Sequence, residues 1–482
     1  MGHTASLGTA QPRAGLPADY DAFLASKAPH AAPSGIEPGV MPSHLFDFQA
    51  ECVRFALRQG RAGLFLDTGL GKTRCELEWA RQAAEATNGC ALILTPLAVA
   101  RQIEREGLAL GYRVRVIQDR FEAAPGVNVC NYDRLDRLDP AAFGAVALDE
   151  ADILCNFMGA TSNALKAAFR DTRFRLVATA TPAPNDATEI AQHAEFLGLM
   201  SRGEMLQRWF INDTAEASQS WRLKGHAVQA FYDWMSSWAR MAETPEDLGF
   251  DASRFVLPPV RVIRHRVAAP IKAAEGELFA GAVSAIGLHE VKRRTAYARA
   301  AAVASVVAAD PDEAWLLWCD TDAEADALRS AVPGVLEVRG SHPVERKEAG
   351  LLAFADGGVK RLLTKPSVAG AGMNWQHCAR VAFVGRSFSY RAWYQAVRRC
   401  WRFGQTRPVH VHLIVSEGED RIGRVIDRKG EQHAAMKAAM RAAMHRDAAG
   451  SAAVKVSYRP THRAPLPAWP PLSQPHTVEP AA

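Results

Sequence analysis

The chain has 482 residues, 48% of them hydrophobic, with 57 lysines and arginines against 52 aspartates and glutamates, a formal charge of +5. That length suits two or three domains, and the mildly basic balance is compatible with a nucleic-acid partner without requiring one. No apolar run reaches membrane-spanning length, no signal-peptide core opens the chain, and eight cysteines lie scattered without a Cys-x-x-Cys pair, so a membrane span, a zinc site and a disulfide framework are not expected and a cytoplasmic location is.

Residues 1–43 are rich in alanine, proline and glycine without clear periodicity, and a disordered leader is expected there. Beyond them, short apolar runs alternate with amphipathic or alanine-rich helical stretches. The runs fall at Gly63–Asp67, Ala91–Thr95, Val114–Gln118, Val127–Cys130, Ala145–Asp149 and Leu176–Ala180. A second set falls at Ala314–Trp318, Val335–Val338, Arg361–Thr364, Val381–Val384 and Val409–Val415. Buried strands separated by helices predict parallel sheets covered on both faces. Between the sets, about residues 185–253 carry no predicted strand. They hold four tryptophans (Trp209, Trp221, Trp234, Trp238) among helix formers, and a helical insertion packed on the first sheet is expected. Leu257-Pro258-Pro259 breaks any helix and begins an extended segment. The expected α/β organisation is lobe 1 over residues 44–256, lobe 2 over 257–456, and a Pro-rich tail over 457–482.

The most informative stretch runs from Phe65 to Thr73 and reads Asp67-Thr68-Gly69-Leu70-Gly71-Lys72-Thr73 after its apolar start. Glycines let backbone amides approach phosphate oxygens, and a following helix points its positive end at the same anion. Lys72 would reach the β- and γ-phosphates and Thr73 would ligate Mg²⁺, although Leu66 stands where the full phosphate-loop pattern has its first glycine. Polar residues follow three further apolar runs, at Thr95-Pro96, Asp149-Glu150-Ala151-Asp152 and Thr179-Ala180-Thr181-Pro182. Ligands of doubly wound sheets bind beyond the carboxyl ends of strands. Two adjacent acids at a strand end repel each other unless something compensates them. Mg²⁺-ATP would do so, with Asp149 holding the metal and Glu150 orienting the attacking water. In the second half, Arg399 and Arg402 are i, i+3 neighbours within Gln395–Gln405. Either could reach a γ-phosphate held by the other lobe, and a merely solvated or phosphate-binding basic helix is the competing reading.

In order along the chain, Gln49 within Phe48-Gln49-Ala50, GLGKT, Leu94-Thr95-Pro96, Asn131-Tyr132, LDEAD, TATP, Ser367–Asn374 and Gln395–Gln405 resemble the helicase superfamily two core, most closely its Swi/Snf-type DNA translocase branch. The likeness covers roughly residues 45–415, and the Arg399, Arg402, Gly404, Gln405 ending is its most branch-specific element. It implies two tandem RecA-like, doubly wound parallel-sheet lobes and a DNA-dependent ATPase that moves on double-stranded DNA, mostly regardless of sequence. It also implies ATP and Mg²⁺ as cofactors and a compact bacterial or phage form. By the same resemblance Gln49, Thr68, Gly69, Leu70, Gly71, Gly372 and Gln405 would contact ATP, and Thr179 and Thr181 would couple its state to lobe movement. Arg399 and Arg402 would be arginine fingers, and Pro96, Arg101, Gln102, Asn131, Ser341, Arg346 and Ser367 would hold DNA. Asp152 departs from the histidine usual in this branch. A strand-separating helicase and an ATP-gated DNA clamp are the alternatives. Strand separation is disfavoured because no segment outside the motifs carries a hairpin signal that would make a pin.

Overall fold

The computed structural model describes residues 29–96, 99–156, 158–213, 220–268, 285–369, 373–416 and 420–448. The first part of the chain supplies strands β1 (Arg61–Leu66), β2 (Cys90–Thr95), β3 (Val114–Val116), β4 (Gly126–Asn131), β5 (Ala145–Asp149), β6 (Phe174–Ala178), β7 (Phe210–Asp213), β8 (Ser220–Leu223) and β9 (Ala239–Ala242). The second supplies β10 (Val260–Val267), β11 (Trp315–Trp318), β12 (Leu336–Val338), β13 (Arg361–Thr364), β14 (Arg380–Phe383) and β15 (Val409–Ser416). Lobe 1 is a seven-stranded sheet in the order β3-β4-β2-β5-β6-β1-β9, and lobe 2 a six-stranded sheet in the order β10-β15-β14-β11-β13-β12. Every pairing within both sheets is parallel. These are the two tandem doubly wound lobes that the alternation of apolar runs and helices implies. Their inner strands are continuous apolar runs because helices cover both faces: β5, for instance, is buried at all five positions.

Three expectations about the segments outside the motifs are corrected. The leader does not extend to residue 43. Residues 29–43 lie along lobe 1, where Ser34, Gly35 and Ile36 amides donate to the Gln59, Arg58 and Leu57 carbonyls and Ala31 is buried. Residues 1–28 and the tail at 457–482 lie outside the described residues. The insertion is not purely helical either. It contains the antiparallel hairpin β7–β8 and the strand β9, which closes the lobe 1 sheet against β1. Its tryptophans Trp209, Trp234 and Trp238 are buried in the lobe 1 core, as expected of a packed insertion.

The third correction concerns the end of lobe 2. The helix Asp420–Ala448 leaves the second lobe and crosses to the first. Near its start Ile422 and Ile426 pack on Tyr390 of lobe 2. Further along, Met436, Met440, Ala443 and Met444 enter the lobe 1 core. Ion pairs Arg441–Asp247 (2.6 Å), Arg446–Asp233 (2.5 Å) and Arg240–Asp447 (3.0 Å) flank that seam. A chain boundary drawn at residue 257 therefore does not separate two independent bodies.

Met440 is fully buried, so Met440→Ala should cost about 2–5 kcal/mol through lost transfer energy and an unfilled cavity. The denaturation midpoint of the intact chain checks this. An unchanged midpoint would mean that the helix does not seat on lobe 1.

Candidate active site at the lobe interface

The phosphate-loop candidate is built where the sequence places it, between β1 and the helix Lys72–Glu85. Gly69 (φ 94°) and Gly71 (φ 79°) adopt backbone that a side chain disfavours, and a Cβ on Gly69 would meet the Phe403 amide at 2.8 Å. Lys72 is buried and donates to the Leu66 carbonyl at 3.0 Å. Gln49, expected at adenine, is 2% exposed and fully used inside lobe 1. Its Nε2 donates to the Leu70 carbonyl (2.8 Å) and its Oε1 accepts from the Phe46 amide (3.0 Å). It braces the loop through Leu70.

Asp149 and Glu150 end β5 behind the loop. Thr95 Oγ1 donates to Asp149 Oδ2 at 2.9 Å, and the Tyr132 hydroxyl holds the Asp149 carbonyl at 2.7 Å. Burial, then the Glu150 carboxylate, push Asp149 up to about 6 against the opposing pull of Lys72 and Thr95. Glu150 has φ 52°, the only positive value for a residue other than glycine among those described. That left-handed backbone costs on the order of 1–2 kcal/mol and aims the side chain at the interface. Glu76, one helical turn after Lys72, is completely buried with both carboxyl oxygens unpartnered, and burial followed by Asp149 drives it well above its ordinary range. Asp149 and Glu76 thus crowd together around Lys72, each held toward its neutral form by burial and by the neighbouring carboxyl groups.

One face of the helix Tyr390–Arg398, continued by Arg399, meets these groups from lobe 2. Arg391 pairs with Asp152. The Tyr394 hydroxyl donates to Asp67 Oδ2 at 2.5 Å. Gln395 Nε2 bridges Glu150 Oε2 (3.2 Å) and Asp152 Oδ2 (3.3 Å). Arg398 Nη2 reaches Asp67 Oδ2 at 2.8 Å and the Thr68 carbonyl at 3.2 Å. Arg399 Nη2 lies 4.0 Å from Glu150 Oε1. Burial alone would raise Asp67, but Arg398, Lys437, Tyr394 and the Thr68 amide hold it well below the usual carboxylate range.

Both expected fingers are present at the interface. Arg399 and Arg402 donate through Nη1 to the Met373 carbonyl at 3.1 and 3.3 Å. Arg399 Nη2 is buried without a hydrogen-bond partner, a donor suited to an anionic oxygen. Burial and then the neighbouring Arg399 and Arg398 lower Arg402 to about 10. Gln405 is not placed as a nucleotide contact. Its Nε2 donates to the Cys378 (3.0 Å) and Cys400 (3.2 Å) carbonyls and its Oε1 accepts from the Thr406 and Arg407 amides. It staples its own loop. Gly372 lies outside the described residues. Thr179 and Thr181 are fully buried, with Thr181 Oγ1 donating to Asp152 Oδ2 at 3.1 Å and the Thr181 amide to Thr179 Oγ1 at 3.1 Å.

A cleft of about 690 Å³ runs between the lobes beside this network. Of the expected DNA contacts, Pro96 and Ser367 line it. Asn131 precedes the lining Tyr132 and has a buried, unpartnered Oδ1. Ser341 and Arg346 are exposed next to the lining Gly340 and Lys347. Gln102 is half-buried and Arg101 exposed, Arg101 paired with Glu104 at 2.8 Å. Neither lines the cleft. Sequence reasoning missed Asp67, Lys347, Lys365, Arg391, Tyr394 and Arg398. A signal existed for three of them: Arg391, Tyr394, Gln395, Arg398 and Arg399 recur at the i, i+3, i+4, i+7, i+8 spacing of one helical face.

No protein-family model matches the sequence, and no curated protein is similar to it. Among solved structures, the chain is similar to one described as the Sulfolobus solfataricus SWI2/SNF2 ATPase core in complex with dsDNA. The alignment covers 85% of this chain and 95% of that one at 17% identity, with a TM-score of 0.39. A likeness at that identity and score carries no functional weight by itself.

The two motif residues nearest the chemistry should separate in their effects. Lys72→Ala should weaken ATP affinity and abolish hydrolysis, whereas Glu150→Gln should abolish hydrolysis and still bind ATP. Equilibrium binding and steady-state turnover on both variants check this, and near-normal turnover in Glu150→Gln would overturn its assignment.

Proposed function

We propose that the protein is a DNA-dependent ATPase that converts hydrolysis between its lobes into translocation along double-stranded DNA. The observation that carries this reading is the single helical face from Arg391 to Arg399, which brings lobe 2 arginines and Gln395 against the phosphate-loop and β5 acids of lobe 1. Hydrolysis confined to an interface of this kind is coupled to lobe movement by construction.

The residues present fit Mg²⁺-ATP: a glycine loop in left-handed backbone, a surplus of buried acid, and an unpartnered buried Arg399 nitrogen. Lys72 and the amides of residues 69–73 would hold the phosphates, and Thr73 and Asp149 would hold the metal, which supplies charge neutralisation when bound. Gln395 contacts the Glu150 carboxylate from lobe 2, and Glu150 positions the attacking water. Arg399 and Arg402, delivered only when the lobes are apposed, offset charge that develops on the transferred phosphoryl group. Lys347, Lys365 and Arg391 give the cleft cationic groups suited to a sugar-phosphate backbone, and contacts of that type bind without reading sequence.

The hairpin β7–β8 favours a second reading, strand separation. The sequence offered no pin, yet the structure has a two-stranded ribbon rooted by the buried Phe210 in the lobe 1 core. Translocation on duplex DNA remains the better supported reading because the hairpin joins the insertion and not the cleft, whose lining comes from both lobes.

Arg399→Ala should lower turnover about 10³–10⁵-fold with ATP and DNA binding largely retained. Loss of DNA binding with hydrolysis intact at saturating DNA would make Arg399 a phosphate clamp instead. Duplex DNA of arbitrary sequence should stimulate hydrolysis at least as well as single strands, and an ATP-dependent displacement of a triplex-forming strand should accompany it. Unwinding of a forked duplex with hydrolysis driven by single strands alone would select the helicase reading. Duplex-stimulated hydrolysis without triplex displacement would select a clamp.

A further inference from the structure

Asp152 is an interface acid whose charge is met by an arginine that also faces the cleft. Its side chain is fully buried, and Oδ2 receives Thr181 Oγ1 (3.1 Å), Gln395 Nε2 (3.3 Å) and the Arg391 guanidinium. Oδ1 has no hydrogen-bond partner among the described residues. Arg391 is different in kind: its side chain is 35% exposed against 0% for Asp152. It lines the interlobe cleft on one side and, on the other, a second cavity of about 620 Å³ that Asp152 also lines. One end of this ion pair is therefore dry and the other is open to a ligand in the cleft.

We propose that Arg391 is a positioning residue that reports DNA to the hydrolytic centre, its guanidinium being exchanged between Asp152 and a backbone phosphate in the cleft. The inference rests on the DNA-dependent reading above. A guanidinium can serve two anions through its fork of donors, and a phosphate in the cleft would compete with Asp152 for it. A buried carboxylate that loses its cation draws more strongly on its remaining donors. Of these, Gln395 Nε2 is the one it shares with Glu150, at 3.2 Å from Glu150 and 3.3 Å from Asp152. As that amide moves onto Asp152, Glu150 Oε2 is released to orient water. Without DNA, Glu150 is held by the shared amide and hydrolysis is slow; with DNA it is freed. Neither Arg391 nor Asp152 touches the reacting atoms in this scheme.

The test compares hydrolysis without DNA and with saturating duplex in the full chain, together with the salt dependence of duplex affinity, for Asp152→Asn, Arg391→Ala and Arg391→Lys. Asp152→Asn lacks the carboxylate that draws the Gln395 amide off Glu150, so its hydrolysis should stay slow even with DNA and the stimulation ratio should fall about tenfold, the scale of a typical coupling energy. Arg391→Ala should lose the stimulation and also reduce the slope of log affinity against log salt by about one contact. A merely structural role would leave that slope unchanged. Arg391→Lys, which keeps the cation, should restore the slope and part of the stimulation. Unchanged stimulation in Asp152→Asn, or an unchanged salt slope in Arg391→Ala, overturns the inference while leaving the DNA-dependent reading intact. If Arg391→Ala fails to fold, Asp152→Asn and Arg391→Lys decide the matter. A native protein that no nucleic acid stimulates would overturn the DNA-dependent reading first, and the inference with it.

Discussion

Burying the Asp67 carboxylate is the constraint on which the interface turns. The residue closes β1, is fully out of water, and takes its compensation from Arg398, Tyr394 and Lys437 on lobe 2 and the crossing C-terminal helix. A buried ion left without its partner is far more costly than one never buried. The docked arrangement of the lobes is therefore what lets Asp67 sit out of water at the start of the glycine loop. Because Arg398 also holds the Thr68 carbonyl, the loop's backbone and the lobe spacing are mechanically one variable. The acids at the end of β5 share that dependence: Glu150 accepts from Gln395 and lies 4.0 Å from Arg399, one turn further on the same helical stretch.

The rest of the architecture keeps the lobes in register. The C-terminal helix is anchored on Tyr390 at one end and in the lobe 1 core at the other, so a rocking motion must bend or re-seat it. Phe403, next after Arg402, stacks on Phe255 at 4.6 Å and sits against Gly69. Aromatic packing of this kind tolerates sliding better than hydrogen-bonded contacts do. The apposed lobes are thus held by a few directional polar contacts at the centre and by apolar, more forgiving contacts at the margins.

Asp152 adds a third buried carboxyl group beside Asp149 and Glu150 and is met by Arg391 from lobe 2. The adjoining acids are then separated by Gln395, whose two contacts of nearly equal length make it responsive to any change in either carboxylate.

Local chemistry made much of this legible in the sequence. Continuous apolar runs ending in polar residues marked every strand of both sheets except the edge strands β9 and β10, and glycines before Lys72-Thr73 marked the left-handed loop after β1, because burial and left-handed backbone are demands met residue by residue. The hairpin β7–β8 and the edge strands β9 and β10 were not legible as strands. β9 is four residues of alanine, arginine and methionine whose extended form comes from pairing with β1, and β10 sets three exposed arginines among half-buried Val260, Ile263, His265 and Val267 at a sheet margin. Nor were the partners of Asp67 and Asp152, separated from them by some 240 to 370 positions, or the internal use of Gln49 and Gln405. Those assignments depend on which surfaces two lobes press together, and only the tertiary structure decides that, because desolvation acts on groups brought together in space whatever their distance along the chain.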